Sequence, residues 1–336
     1  MIAPGDLEYC REAIRHGSLS FHAASRLLPA RVRDPALALY AFCRLADDAV
    51  DLGEDKAAAV LRLRDRLDKA YHGRPEDRPP DRAFAALIED HDMPRVLPEA
   101  LLEGLAWDAL ERRYDDLSGL RDYSARVASA VGAMMCVLMG VRDAPSLSRA
   151  CDLGVAMQLT NIARDVGEDA RAGRVYLPLD WLDAAGLTPE TLCADPDAAL
   201  PLLRPMVAQL LREADRLYHR AETGIDGLPL GARPGIYAAR NIYAAIGGAV
   251  RRNGCDSVHH RGRTGRMQKA GLLGLSVAQA ALSVVTPRSA VIYAPPLPET
   301  AFLVDGARRE APQARNRGQS LIEVLMQLER HRRAGI

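Results

Sequence analysis

The sequence predicts an all-α protein forming a single domain, and three observations carry that expectation. Apolar residues recur at helical spacing almost throughout. Ala, Leu and Arg dominate the 336 residues, and the β-branched runs that mark strands are rare. Prolines and glycines fall between the periodic stretches. The helix cores then follow in order. A core at 35–52 lies between Asp34-Pro35 and Gly53, and one at 55–72 ends before Gly73. The stretch from Gly73 to Pro80 precedes 81–91, Pro98 opens 98–113 and Gly119 precedes 121–140. Pro145 and Gly173 bracket 147–171, Pro201 opens 201–224, and Pro229 to Pro234 precede 233–252. Further cores are expected at 266–284 and 318–333. No Ser/Gly-rich linker and no fixed-period repeat divides the chain, so the domain is expected to span 1–336. The segment 287–318, rich in Pro, Ala and Arg, is expected to wrap the surface or to be mobile.

Composition excludes several classes. Lys+Arg and Asp+Glu are equal at 44 each, so no global charge points to nucleic acid. The six cysteines form no CxxC knuckle and read as reduced core thiols. The N-terminus lacks the apolar region of a secretory signal, which points to the cytoplasm. No run reaches the roughly 18 apolar residues that span a bilayer. The nearest, Ala270 to Val285, is expected to be a buried core helix, with contact to a membrane surface as the alternative.

The chemistry lies in two acidic stripes. In QLTNIARDVGEDARAGRVYLP, Gln158, Asn161, Asp165 and Asp169 fall at i, i+3, i+7 and i+11, one narrow face of a helix. Arg164 and Glu168 flank them, and Leu159, Ile162, Ala163 and Val166 cover much of the other side. Like charges at i,i+4 oppose an isolated helix by about 0.2–0.5 kcal/mol, so helix stability alone does not ask for Asp165 beside Asp169. One DxxxD is ordinarily a solvated face. A second stands in YAFCRLADDAVD, where Tyr40, Arg44, Asp47 and Asp51 share a stripe and Asp48 sits at its edge. Four carboxylates exceed the needs of a general acid–base pair. A di-iron site wants Glu and ExxH, and calcium wants a DxDxDG loop. Two facing stripes holding Mg²⁺, with diphosphate bound to the metal, fit best.

These residues resemble the squalene/phytoene synthase family, in order, from about Ser18 to Arg261. The resemblance rests on YAFCRLADDAVD and on Gly154, Gln158, Asn161-Ile162, Arg164-Asp165, Asp169, Arg174, Tyr176 and Pro178. It rests also on YSARVASAVGAMMCVL, from Tyr123 to Leu138, and on the Ser-x-Ser-Phe opening in GSLSFHAASRLLP. It implies an all-α isoprenoid-synthase fold around a central cavity and a prenyltransferase using Mg²⁺ or Mn²⁺. By wording, the chain is nearer the phytoene-forming branch. There two geranylgeranyl diphosphates condense 1'-1 through prephytoene diphosphate to phytoene, the first committed step of carotenoid biosynthesis, without NADPH. Small residues at Ala23, Ala24 and Ser25 favour a long tail. The alternatives are a squalene or dehydrosqualene synthase using farnesyl diphosphate, and a non-catalytic assembly or lipid-binding member of the family.

Carried over residue by residue, the resemblance implies metal ligation by Asp47, Asp51, Asp165 and Asp169, with Asn161 as a further ligand and Asp48 assisting. Arg44 and Arg164 would hold diphosphate, Arg174 would act as a lid contact and Gln158 would orient substrate or water. Tyr40, Tyr123 and Tyr243 would line the cavity, with Tyr243 near the chemistry, and Ser20 and Phe21 would meet substrate. Two departures stand out. Gly17 replaces a polar or basic residue of some relatives, and GCDSVHHRGR lacks their aromatics, with Cys255 and Val258 in place. The resemblance therefore carries no diphosphate role to Arg261. A water-insoluble product implies a membrane surface or a downstream phytoene desaturase as partner.

Overall fold

The computed structural model describes residues 1–51, 56–287 and 289–309; the side chains at 47, 49, 50 and 51 fall outside that description. Among the described residues every regular element is helical, and there is no strand.

The chain begins with two helices that were not among the expected cores. α1 (Pro4–Gly17) opens on a proline, with Asp6 in its first turn and Arg15 and His16 in its last, charges that suit the helix dipole. Its Cys10 and Ile14, one turn apart, are buried among otherwise charged letters. α2 (Leu19–Ser25) is capped by Ser18, whose Oγ accepts from the Phe21 N–H at 3.2 Å. α3 (Ala30–Asp51) runs through Pro35, which forgoes a ladder hydrogen bond and does not end the helix. α4 (Lys56–Tyr71), α5 (Pro79–His91) and α6 (Val96–Ala109) surround it. Phe42 of α3 stacks on Phe84 of α5 at 3.9 Å, and buried Arg66 and Asp81 join α4 to α5 through bonds of 2.9 and 2.5 Å.

The region expected as one helix over 121–140 is α7 (Leu117–Ser124), a π-helical turn at Ala125–Ser129, and α8 (Ala130–Leu138). α9 (Ala144–Arg171) is capped by Asp143, which accepts from the Ser146 N–H at 2.9 Å. α10 (Leu179–Ala184) and α11 (Pro189–Ala194) lead to α12 (Pro196–Ile225). α12 starts ahead of Pro201, because Asp195 caps it through the Ala198 N–H at 2.9 Å. α12 lies alongside α9, and α13 (Arg233–Arg252) packs on both.

α14 (Arg266–Leu282) corrects an expectation. Only Ser276 and Ala280 are buried in it, so it is not a core helix. Its small inner residues meet α13, where Asn241 Nδ2 donates to Ser276 Oγ at 3.0 Å and to Gln279 Oε1 at 2.6 Å. Its larger apolar residues face outward. No described helix is long and apolar enough to cross a membrane. Beyond it come 3₁₀ turns at Ala290–Tyr293 and Pro298–Thr300, then α15 (Ala301–Ala307). This strap is tied down by Arg149 Nη1 donating to Val291 O at 2.6 Å and Arg220 Nη2 donating to Pro295 O at 2.8 Å. Residues 289–309 therefore wrap the surface; 310–318 and the helix expected at 318–333 lie outside the described residues.

Candidate active site

The side chains of α9 divide into two uses. Leu147, Cys151, Val155, Leu159, Ile162 and Val166 are buried in the core. Ser146, Arg149, Leu153, Met157, Gln158 and Asn161 line a cavity of about 340 Å³. From Ser146 to Asn161 the cavity follows α9 for about 22 Å at 1.5 Å per residue. Its middle and far end are mainly apolar, with Leu28, Leu39, Met135, Met139, Leu228 and Ile236 in the walls beside Ser146 and Arg149. Its polar end gathers Tyr40 and Cys43 of α3, Gln158 and Asn161 of α9 and Tyr243 of α13. Tyr40 of the α3 stripe and Gln158 and Asn161 of the α9 stripe thus line one end of the same cavity, whereas Arg44, Asp165 and Asp169 are not among its lining residues.

Close packing makes the walls thin. A Cβ on Gly154 would fall 2.5 Å from Ser129 Cα, so only glycine lets α9 lie against the π-helical turn that puts Val127 and Ala128 into the cavity wall. A Cβ on Gly17 would fall 2.1 Å from Tyr40 Oη, which explains glycine at that departure from the family pattern. Phe21 bridges Tyr40 and Tyr243, with ring centroids 6.3 and 5.4 Å away. Burial pushes the Tyr243 hydroxyl up to about 12, against the pull of Arg164, so it remains a neutral donor near neutrality.

Asp165 and Asp169 continue the α9 stripe one and two turns beyond Asn161. Arg164 grips Asp165 through two bonds, 2.8 Å from Nε and 2.5 Å from Nη2. Burial and the charge of Asp165 raise the Asp169 carboxyl from 3.8 to about 7, despite Arg174 at 3.9 Å. Gly173, at φ 76°, ends α9 and turns the chain so that the Arg174 N–H returns to the Asp169 carbonyl at 2.8 Å. Arg44 pairs with Asp48 at 2.6 Å on a half-exposed face of α3. Asp47 and Asp51 lie on α3, with side chains outside the described residues.

Two expected contacts fall elsewhere. Ser20 is half-buried on α2 but is not among the cavity-lining residues. Tyr123 is buried away from the lining, with its hydroxyl donating to Asp108 Oδ2 at 2.8 Å while Tyr176 donates to Asp108 Oδ1 at 2.8 Å. Its ring packs 5.3 Å from both Tyr114 and Tyr176, a stack that braces the loop following α9. The carboxylate of Asp108 is the link that sequence reading missed, since nothing local couples the end of α6 to residue 176.

Arg261 is the other residue that sequence reading left out. Its loop docks on α9 where Gly167 leaves room: a Cβ there would meet Val258 Cα at 2.6 Å. The Gly167 N–H reaches Ser257 O at 3.1 Å, and Ser257 Oγ donates to Ala163 O at 2.6 Å. Arg261 is thereby set 3.0 Å from Asp165 and 2.9 Å from Glu168. A glycine between two aspartates of a helix was the available signal.

The donor set suits a hard divalent cation. Asp165 and Asp169 offer carboxylate oxygens four residues apart, and the desolvated Asp169 anion is the form a cation would stabilise. Among the described residues no three His, Cys, Asp or Glu side chains form a closed cage. Arg164 and Arg261 pair with Asp165 and Arg174 lies 3.9 Å from Asp169, so guanidinium groups that could meet an anion stand beside both carboxylates.

Comparison with known proteins agrees with this architecture. The chain matches the family model described as squalene/phytoene synthase over residues 14–269. It is 62% identical to a phytoene synthase of Cereibacter sphaeroides, covering 98% of this chain and 95% of that protein. It is 56% identical to a phytoene synthase of Rhodobacter capsulatus, covering 98% and 97%. A crystal structure of a dehydrosqualene synthase in complex with ligand superposes with a TM-score of 0.76 at 29% identity, over 83% of this chain and 97% of that one. The chain belongs to the squalene/phytoene synthase family.

Proposed function

We propose that the protein is a prenyltransferase condensing two geranylgeranyl diphosphates to phytoene through prephytoene diphosphate, with loss of both diphosphates and two protons, one as the cyclopropane closes and one as phytoene forms. One observation carries the reading: a long, mainly apolar cavity along α9 reaches Gln158 and Asn161, and Arg164, Asp165 and Asp169 follow on the next turns of the same helix. The full-length likeness to two proteins named phytoene synthase favours this product over a farnesyl-derived one.

In this reading Asp165, Asp169 and Asn161 hold Mg²⁺ or Mn²⁺ together with Asp47 and Asp51 of α3, assisted by Asp48. A cation held there would supply neutralisation of the charge on the departing diphosphate. Arg164 and Arg261 hold Asp165 in place and present guanidinium groups to diphosphate oxygens. Arg44 contributes from α3, and Arg174 closes over the same oxygens from the loop braced by Tyr176. Tyr40, Phe21 and Tyr243 turn aromatic faces toward the allylic carbons, which stabilise positive charge there. Gln158 orients substrate at the boundary between polar and apolar walls, and the apolar walls exclude the water that would trap a carbocation.

The test is product identification. Purified protein is incubated with Mg²⁺ and geranylgeranyl or farnesyl diphosphate, with and without NADPH, and the hydrocarbon is extracted. Phytoene from geranylgeranyl diphosphate, independent of NADPH, is expected; only farnesyl-derived product would refute the reading.

A further inference from the structure

α14 and the turn after it present an uncharged apolar face to solvent. Met267, Leu275, Leu282 and Val285 recur along one stripe and are 86, 49, 59 and 77% exposed. Leu230 extends the face, because Arg233 ties its turn to α14 by donating to Leu228 O at 3.0 Å and to Ser283 Oγ at 2.8 Å. Contiguous apolar surface of this kind is uncommon unless something covers it.

Charge identifies the cover. From Ser257 to Pro298 the sequence contains no Asp or Glu, while Arg263, Arg266 and Lys269 stand at the N-terminal border of the face. Leucines and valines bordered by cations, with no carboxylate in their own segment and the neighbouring Glu222 paired with Arg240 at 2.8 Å, match the acyl layer and headgroups of an anionic bilayer. A second copy set symmetrically on this face would bring the same cations together, which disfavours self-pairing. The turn held by Arg233 also carries Leu228 and leads to Gly235, both in the cavity wall, so the face adjoins the cavity's apolar end. We propose that this face docks the protein on anionic lipid bilayers. The inference goes beyond the proposed reaction and does not depend on it, because its readout is binding.

The full-length protein is sedimented with vesicles of phosphatidylcholine alone or mixed with phosphatidylglycerol. Binding to the anionic vesicles is expected, weakened about tenfold or more by Leu275→Glu with Leu282→Glu. Replacing Arg263, Arg266 and Lys269 by Gln is expected to remove the preference for phosphatidylglycerol and the salt dependence. If circular dichroism shows the double variant misfolded, Val285→Glu, beyond the helix, replaces it. The proposal is overturned by absent vesicle binding of the full chain. It is equally overturned by binding indifferent to these substitutions, or by a lipid-free dimer that Leu275→Glu dissolves.

Discussion

α9 and α14 exchange the places their letters suggest. α9 carries Arg149, Asp152, Arg164, Asp165 and Asp169, yet runs through the middle of the protein. α14 is nearly free of charge between Ala270 and Leu282, yet lies mostly in solvent. The apolar content of a helix does not decide whether it lies inside. The partners available to each face decide it. α9 has a buried apolar side, a cavity side and a countercharge for its acids. α14 buries only two small residues, Ser276 and Ala280, and meets α13 through hydrogen bonds from Asn241 to Ser276 and Gln279.

The contrast is broken most severely where α9 buries charge. Arg149 and Asp152 are 1 and 0% exposed and pair at 2.7 Å, with Arg220 Nε on the same Asp152 oxygen at 3.0 Å. Asp152→Ala leaves the buried charge of Arg149 with backbone carbonyls but no counterion and is expected to destabilise the protein by about 3–5 kcal/mol, read as a lowered urea midpoint. Next comes the closest contact of α9. Gly154→Ala drives a methyl into the Ser129 backbone and is expected to cost about 1–3 kcal/mol with partial loss of turnover.

A pH effect follows from Asp169. Its folded value, about 7, exceeds the ordinary 3.8, so between them the folded protein keeps a proton that the unfolded chain releases. Metal-free stability from this group is therefore fully present below about pH 4 and lost as pH rises through about 7. Thermal melts of chelator-treated protein at pH 5.5 and 8 check this, and Asp169→Asn is expected to flatten the difference.

The smallest effect has the opposite sign. On α14 a Cβ at Gly274 meets nothing within 4 Å, so Gly274→Ala is expected to stabilise by about 0.5–1 kcal/mol. A destabilising result at Gly274 would mean the outer face of α14 is already covered.

The helical class and the α9 stripe were legible because both are periodic within one segment: Gln158, Asn161, Asp165 and Asp169 announce one face by spacing alone. The exposure of α14 was not legible from its apolar letters, because it turns on which of them are large and which face those occupy. Asp108 bridging Tyr123 and Tyr176, and Arg261 reaching Asp165, depend on loops brought together from distant segments. Gly167 marks the landing place of the second loop, but nothing in the sequence names its visitor. α1 was hidden because its two buried apolar residues, Cys10 and Ile14, sit among charges.

The central claim is that the carboxylates of α9 one and two turns beyond the polar end of the cavity act on diphosphate. It is tested most directly by the turnover of geranylgeranyl diphosphate by Asp165→Ala at saturating Mg²⁺, with the fold verified by circular dichroism. The account predicts a fall of about 10²–10³-fold, the loss expected when charge stabilisation of a departing group is removed. Undiminished turnover would contradict it.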